Sequence, residues 1–283
     1  MHQRHTLTPR QGQVPKAQRA NVVAMADFIH ADLRGARFER VNLSDAHLHA
    51  VDLSGFRFRG VDLSGAVMRG VELVDADIHG EVVGLTINGV DIGPLVEAEL
   101  DRRHPERAAL RAHDADAFRS GWAGLEAMWA PTIERATAMP TGTVDVSVDC
   151  EWSFAQTLRH LVFATDVWLG DAIQHREQPY HRYGEPFSGW RDRAGRVGIE
   201  LDAHPPYQDV LEMRADRVGM VRDYLTSVTD DRLDEGGHQP FFVSHPFTAR
   251  DCLGIILNEE WHHHRYAVRD LDAISAQDSE HRS

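Results

Sequence analysis

The stretch NEEWHHHRYAVRDL, residues 258–271, places two glutamates, a tryptophan and three consecutive histidines in a segment with helical periodicity. Carboxylates and imidazoles this close together are typical of three arrangements: a charged surface turn, a set of Glu–His salt bridges, or one wall of a metal site. The position of each side chain around the helix decides among them.

The apolar residues around this stretch predict the register of the helix. Its buried stripe is expected to contain Leu253, Leu257, Glu260, His264, Ala267 and Leu271. Residues four apart are neighbours on a helix surface, so Glu260 and His264 form a pair that faces the core. A buried carboxylate and imidazole are costly unless something compensates them. A divalent metal such as Zn²⁺ does so.

A second pair, Glu259 and His263, has the same spacing on the shoulder of this stripe. A register shift of one residue exchanges the two pairs, so both stay open. His160 is expected to supply a third ligand, because it flanks the apolar stripe of an earlier helix. Three protein ligands leave a position for water or substrate, as catalytic zinc requires. The alternatives are solvated Glu–His pairs over 259–264 and an ordinary core histidine at 160.

Four long segments in the second half of the chain have the apolar spacing of amphipathic helices. The second of them begins with the capping box Ser153–Gln156. Pro131 is expected to kink or break the first. Together they predict a four-helix bundle over residues 114–273, with the polar segment 175–204 as a lid.

The first third of the chain contains an internal repeat of five residues. From residue 26 to 80 it reads ADFIH ADLRG ARFER VNLSD AHLHA VDLSG FRFRG VDLSG AVMRG VELVD ADIHG. The central position of every unit is large and apolar, from Phe28 and Leu33 to Leu73 and Ile78. A period of five fits a solenoid in which each face contributes one small and one large inward residue. Residues 81–93 are predicted to form a strand and turn that cap it.

Two family resemblances follow from these patterns. The five-residue units resemble the pentapeptide-repeat family, which implies a right-handed β-helix over residues 26–92. EWSFAQTLRHL (151–161) with EEWHHHRY (259–266) resembles the DinB-like superfamily, which includes YfiT-type proteins and mycothiol-dependent maleylpyruvate isomerase. This second resemblance implies a metal-binding four-helix bundle, so the fold class expected for the whole chain is α plus β-solenoid.

The DinB-like resemblance also implies a ligand set. One ligand is a histidine of the second helix, which falls on His160. Two more lie four residues apart on the last helix and fall on Glu260 and His264, with Glu259 and His263 as the alternative pair. A Glu-x-x-x-His pair matches the mycothiol-dependent branch of the family.

The function implied is that of a thiol-dependent transferase acting on small electrophiles. Its cofactor would be a divalent metal, Zn²⁺ or alternatively Ni²⁺, and its cosubstrate mycothiol or a similar small thiol. Two further hypotheses stay open: a metal-dependent hydrolase on the same site, and a non-enzymatic protein whose solenoid binds a partner protein. Neither Cys150 nor Cys252 lies in an electropositive motif, which argues against a protein thiol as nucleophile.

Composition narrows the possible partners. A net charge of −14 argues against a nucleic-acid binder. The repeats carry nine acidic residues against six interspersed arginines, which is a poor copy of a DNA phosphate ladder. No apolar run approaches the roughly 18–20 residues that a membrane span needs. A homodimer is also an expectation, since bundles of this kind often dimerise.

The remaining segments are predicted from their polarity. Residues 1–25 and 274–283 are expected to be disordered tails, and residues 93–113 a connecting helix. The N-terminus lacks the apolar core of a signal peptide, and two cysteines outside any CxxC pattern fit a reducing compartment. These features predict a cytoplasmic protein.

Overall fold

The computed structural model describes residues 27–39, 41–80, 82–237 and 247–281. The chain divides into two compact units at the bond between Phe56 and Arg57. By this division residues 57–92 group with the helices that follow them, and the boundary near residue 92 stays a prediction from the repeat. The predicted tail 1–25 lies outside the described residues.

The first unit contains β-turns that recur every ten residues. Their closing bonds, 2.9 to 3.0 Å long, run from the backbone N–H of Ala36, Ala46 and Phe56 to the carbonyl oxygens of Leu33, Leu43 and Leu53. Gly35 has a φ of +76° at the third position of the first turn, as a type II turn requires.

A side chain before each turn supports it. The side-chain oxygens of Asp32, Asn42 and Asp52 accept hydrogen bonds from the backbone N–H two residues further on. Asp and Asn form this local bond readily, which accounts for the acidic or amide residue that often occupies the second position of the five-residue unit.

The repeats of the second unit continue with a turn closed between Ala66 and Leu63. Every described residue from 27 to 80 is exposed, and none of them lies in a strand. The right-handed β-helix therefore stays a prediction from the repeat.

A short hairpin follows the repeats. Strand β1 (Thr86–Ile87) pairs antiparallel with β2 (Val90–Asp91), with Ile87 opposite Val90. Asn88 and Gly89 form the turn, and their φ angles of +51° and +80° suit a type I′ hairpin. The strand and turn predicted after the repeats are this hairpin.

The rest of the second unit is helical. The helices are α1 (Gly93–Arg103), α2 (Ala115–Ala138), α3 (Phe154–Thr165), α4 (Arg191–Ala194), α5 (Tyr207–Ser227), α6 (Asp230–Leu233) and α7 (Ala249–His281). Short 3₁₀ segments cover Pro105–Leu110, Thr143–Asp145, Ser188–Trp190 and Gly195–Val197. Helices α2 and α3 each pack against both α5 and α7, which gives the predicted four-helix bundle. None of the described helices combines the length and hydrophobicity needed to cross a membrane.

Two features of the helices differ from expectation, namely the continuity of α2 and the length of α7. Helix α2 runs through Pro131 to Ala138, because Trp129 and Thr132 on either side of the proline are buried and hold the helix in place. Helix α7 continues through the predicted C-terminal tail to His281, and Ile274 extends its buried stripe. The capping box at the start of α3 is present as predicted.

Helix α3 continues directly into a π-helical turn, Asp166–Asp171, in which the N–H of Ala172 bonds to the carbonyl oxygen of Val167. The apolar stripes of α2, α3, α5 and α7 together form the core. Its buried members include Phe118, Trp122, Leu125, Leu158, Leu161, Val221, Leu225, Leu253, Leu257 and Leu271. This core fixes the faces that α3 and α7 present to each other.

Candidate metal centre

His160 lies in α3 with 5% of its surface exposed. Its Nδ1 is 2.9 Å from the backbone carbonyl oxygen of Glu185. A carbonyl oxygen only accepts hydrogen bonds, so Nδ1 must carry a proton and donate it. In the neutral imidazole this leaves Nε2 with a free lone pair.

The Nε2 of His160 faces two residues of α7. It lies 3.5 Å from Oε2 of Glu259, and the Nε2 of His263 lies 3.1 Å from the same oxygen. One ligand atom from each of the three residues lies within 4.8 Å of the others. Glu259 and His263 share a face of α7 because they are four residues apart. The structure thus brings together His160 and the alternative pair.

The surroundings favour the metal-binding forms of these groups. Burial alone would raise the pKa of Glu259, but the neighbouring imidazoles of His160 and His263, which are cationic in the acid range where a carboxyl titrates, outweigh it and hold the pKa well below its usual range. Burial lowers the pKa of His263, although its bond to Glu259 opposes this. An ionised carboxylate and a neutral imidazole are the forms that bind metals.

Aromatic side chains line the centre. The ring of Trp152 lies 4.4 Å from that of His160 with an interplanar angle of 33°, and 5.8 Å from that of His263. Tyr266 meets the His263 ring edge-on at 5.9 Å, and His79 meets Tyr266 at 6.3 Å. The histidines of the centre thus pack against aromatic rings, while the side chain of Glu259 stays 33% exposed.

The other predicted pair points elsewhere. Glu260 is 1% exposed, and its Oε2 accepts a hydrogen bond of 2.5 Å from Nη2 of Arg214 on α5. The Nε2 of His264 is 2.8 Å from Oγ1 of Thr132 on α2. Glu260 and His264 therefore contact α5 and α2, while Glu259 and His263 contact α3.

The register predicted for α7 is nevertheless present, since Glu260 lies on the buried stripe as expected. What the sequence did not reveal is its partner: the buried carboxylate is compensated by an arginine. Arg214 is 4% exposed and falls between Leu211 and Val218 on the stripe predicted for α5. An arginine on this otherwise apolar stripe is the sequence feature that could have indicated a buried ion pair.

Sequence reasoning also missed two residues next to His160. Arg159 precedes it in the chain, and Glu185 accepts its Nδ1 hydrogen bond. Glu185 belongs to the segment expected to be a lid. It contacts His160 through its backbone carbonyl, which every residue type has, so no sequence pattern could indicate this contact. Two further histidines, His238 and His245, lie outside the described residues.

A separate buried carboxylate anchors the same segment. Asp166, 1% exposed, accepts hydrogen bonds from Nε of Arg217 at 2.6 Å and from the backbone N–H of His181 at 2.7 Å. Burial raises the pKa of Asp166 to about 6, against the opposing effect of Arg217. Arg217 also lines a cavity of about 310 Å³, and His160, Glu259 and His263 do not line this cavity.

The cluster fits a divalent metal ion. Two imidazole nitrogens and a carboxylate oxygen are donors that zinc accepts. A histidine ligand usually donates its other N–H to a carbonyl or carboxylate, as His160 does to Glu185. Three protein donors would leave room for a further ligand.

The fold and this cluster define a helical-bundle protein with a group that could hold a metal. The family model of the DinB superfamily matches residues 124–267, just over half of the 283 residues, and the chain belongs to that superfamily. Pentapeptide repeats match in eight copies over residues 26–60 and 46–80. Both resemblances are thereby confirmed. No curated protein and no solved structure shows significant similarity to the chain.

Proposed function

We propose that the bundle binds one divalent metal ion through His160, Glu259 and His263 and acts as a thiol-dependent transferase on small electrophiles. The observation that carries the metal site is the hydrogen bond from Nδ1 of His160 to the Glu185 carbonyl. It leaves the Nε2 lone pair 3.5 Å from a carboxylate oxygen. Two electron-rich atoms at this distance repel each other unless a cation or a proton lies between them.

Zinc is the metal that we propose, with nickel as the alternative. Zinc binds mixed nitrogen and oxygen donors and tolerates an open fourth position. Imidazole also suits nickel, so the donor set alone does not separate the two. The cysteines Cys150 and Cys252 are free and neither belongs to the cluster.

The chemistry follows from these donors. A bound divalent ion lowers the pKa of a coordinated thiol, so that the thiolate is present at neutral pH. One ligand atom each of His160, Glu259 and His263 lies within 4.8 Å of the others, Glu259 supplies negative charge, and the ring of Trp152 lies beside His160. With its proton passed to water, such a thiol would bond through sulfur to the electrophilic carbon of the substrate. That carbon would either release a leaving group with its electron pair or, where a double bond opens, pass the pair to the neighbouring atom, which takes a proton from water.

Mycothiol or a similar thiol is the proposed cosubstrate. The support is the Glu-x-x-x-His spacing, which the mycothiol-dependent branch of the resemblance implies and which Glu259 and His263 retain. A cytoplasmic location is part of the proposal, because small thiols and unpaired cysteines are both kept reduced there.

A metal-dependent hydrolase is the second candidate, since the same open position accepts water as readily as a thiol. Turnover of an electrophile that requires added thiol separates the transferase from the hydrolase. For the repeats we propose the right-handed β-helix, supported by the eight matched copies, with a role in binding a partner protein.

The first experiment measures metal in tag-free protein by mass spectrometry. We expect about one ion per chain in the wild type and in His264→Ala, whose imidazole contacts Thr132. His160→Ala and His263→Ala should lose it. Absence of zinc and nickel from the wild type and all variants, even after the metals are added, would refute the metal site and both enzymatic functions. Partner binding by the repeats would then be the remaining hypothesis.

A further inference from the structure

The residue before His160 makes an unusual set of contacts. Arg159 is 3% exposed, although arginine is rarely buried without partners. Its Nε donates to the carbonyl oxygen of Tyr183 at 2.8 Å, and its Nη1 to that of Ala203 at 2.7 Å. Its Nη2 lies 3.0 Å from Oε2 of Glu185. One side chain therefore joins both ends of the 183–203 segment to α3.

Glu185 is held at its backbone as well as at its side chain. Its N–H donates to the carbonyl oxygen of Arg159 at 3.1 Å. Its other carboxylate oxygen accepts a bond of 3.2 Å from Arg191, which also donates to Asp202 at 2.6 Å. The carbonyl oxygen of Glu185 is thus fixed next to His160 by bonds on either side of it.

We propose that Arg159 and Glu185 are positioning residues that set the tautomer of His160. By holding the Glu185 carbonyl at Nδ1, they keep the proton on Nδ1 and the lone pair on Nε2. If the carbonyl moved away, the proton could transfer to Nε2 and occupy the atom that the metal needs. The inference depends on the proposed metal site only for its functional meaning, because the tautomer exists without metal.

The alternative is that Arg159 merely stabilises the fold, so the test needs a readout other than stability. The variant is Arg159→Met with Glu185→Gln, which removes the buried ion pair but retains the backbone carbonyl. The matched control is Arg107→Met. Arg107 is 5% exposed and pairs with Glu97 at 2.7 Å and Asp101 at 2.9 Å.

Long-range ¹H–¹⁵N spectra of the metal-free, full-length protein at pH 8 show which imidazole nitrogen carries the proton. His160 is assigned by the signal that His160→Gln lacks. We expect a protonated Nδ1 in the wild type and in Arg107→Met. In the double variant a substantial fraction of the proton should move to Nε2. An unchanged Nδ1–H signal in a folded double variant overturns the proposal.

If the double variant does not fold, Arg159→Lys replaces it. Lysine keeps the charge opposite Glu185 but cannot reach both backbone carbonyls in the geometry of the guanidinium fork. The same tautomer shift is expected, and an unchanged signal overturns the proposal here too.

Metal affinity gives a separate result. Zinc affinity, measured by competition with a chelator, should fall roughly 10- to 100-fold in the positioning variants and stay within threefold in Arg107→Met. A tautomer shift in a protein whose wild type binds no zinc would support the positioning role and reject the proposed function. An unchanged tautomer in the variants, together with tight zinc binding by the wild type, would reject the positioning role and support the metal site.

Discussion

Glu259 and Glu260 are consecutive residues of α7, yet their carboxylates contact partners on different helices. Glu259 Oε2 lies 3.5 Å from Nε2 of His160 on α3, and Glu260 Oε2 lies 2.5 Å from Nη2 of Arg214 on α5. Successive residues of a helix point about 100° apart, so adjacent acids reach different neighbours. One carboxylate meets two histidine side chains, and the other meets a permanent cation.

The two glutamates should respond differently to the same substitution. Glu259→Gln removes a charged ligand atom, and we expect zinc affinity to fall by roughly a hundredfold or more with little loss of stability. Glu260→Gln should retain zinc binding within about tenfold wherever it folds. Chelator competition measures both, and equal losses of affinity in the two variants would contradict the assignment of ligands.

Folding stability should fall more in Glu260→Gln than in Glu259→Gln. Glu260→Gln leaves Arg214 buried without a counter-charge, and breaking a buried pair on one side costs about 3–5 kcal/mol in the free energy of unfolding. The double variant Glu260→Met with Arg214→Met should recover much of this, because two apolar side chains replace the pair. Urea unfolding tests it, and a double variant no more stable than Glu260→Gln would refute the ion-pair explanation.

Asp166 should make stability fall as pH rises through the acidic range. Its folded pKa of about 6 lies above the ordinary value of 3.8, so the folded state binds more protons between these values. Its contribution to the free energy of unfolding is up to about 3 kcal/mol. This contribution is fully present below about pH 4 and is lost above about pH 6.

Asp166→Asn removes this titration. The unfolding free energy of the wild type minus that of Asp166→Asn should therefore decrease between pH 4 and pH 7, which urea unfolding at several pH values measures. A difference that increases with pH would mean that Arg217 dominates and that the folded pKa of Asp166 is depressed.

Trp152 should report metal binding directly. Its ring stacks 4.4 Å from that of His160, so a bound Ni²⁺ ion should quench its fluorescence strongly. Trp152→Phe should lose most of the quenching while still binding the ion, and His263→Ala should lose both. Equal quenching in the wild type and in Trp152→Phe would show that the ion binds elsewhere.

The sequence predicted the features that depend on local pattern. The capping box at Ser153, the apolar stripes of the long helices and the inward position of Glu260 follow from helical spacing, which neighbouring residues fix among themselves. The period of five also indicates a repeating structure, although the turns within it, supported by side chains such as Asp32, appear only in the structure. The exception is Pro131, where burial of the nearby Trp129 and Thr132 overrides a local preference for breaking the helix.

Only the tertiary structure decided which acids and histidines meet. Two pairs with identical spacing stand one residue apart on α7, and the choice between them depends on which helix lies opposite each face. The arginine opposite Glu260 and the carbonyl of Glu185 opposite His160 come from 46 and 25 residues away along the chain. Helical periodicity places a side chain on a face, but the packing of other helices determines what that face contacts.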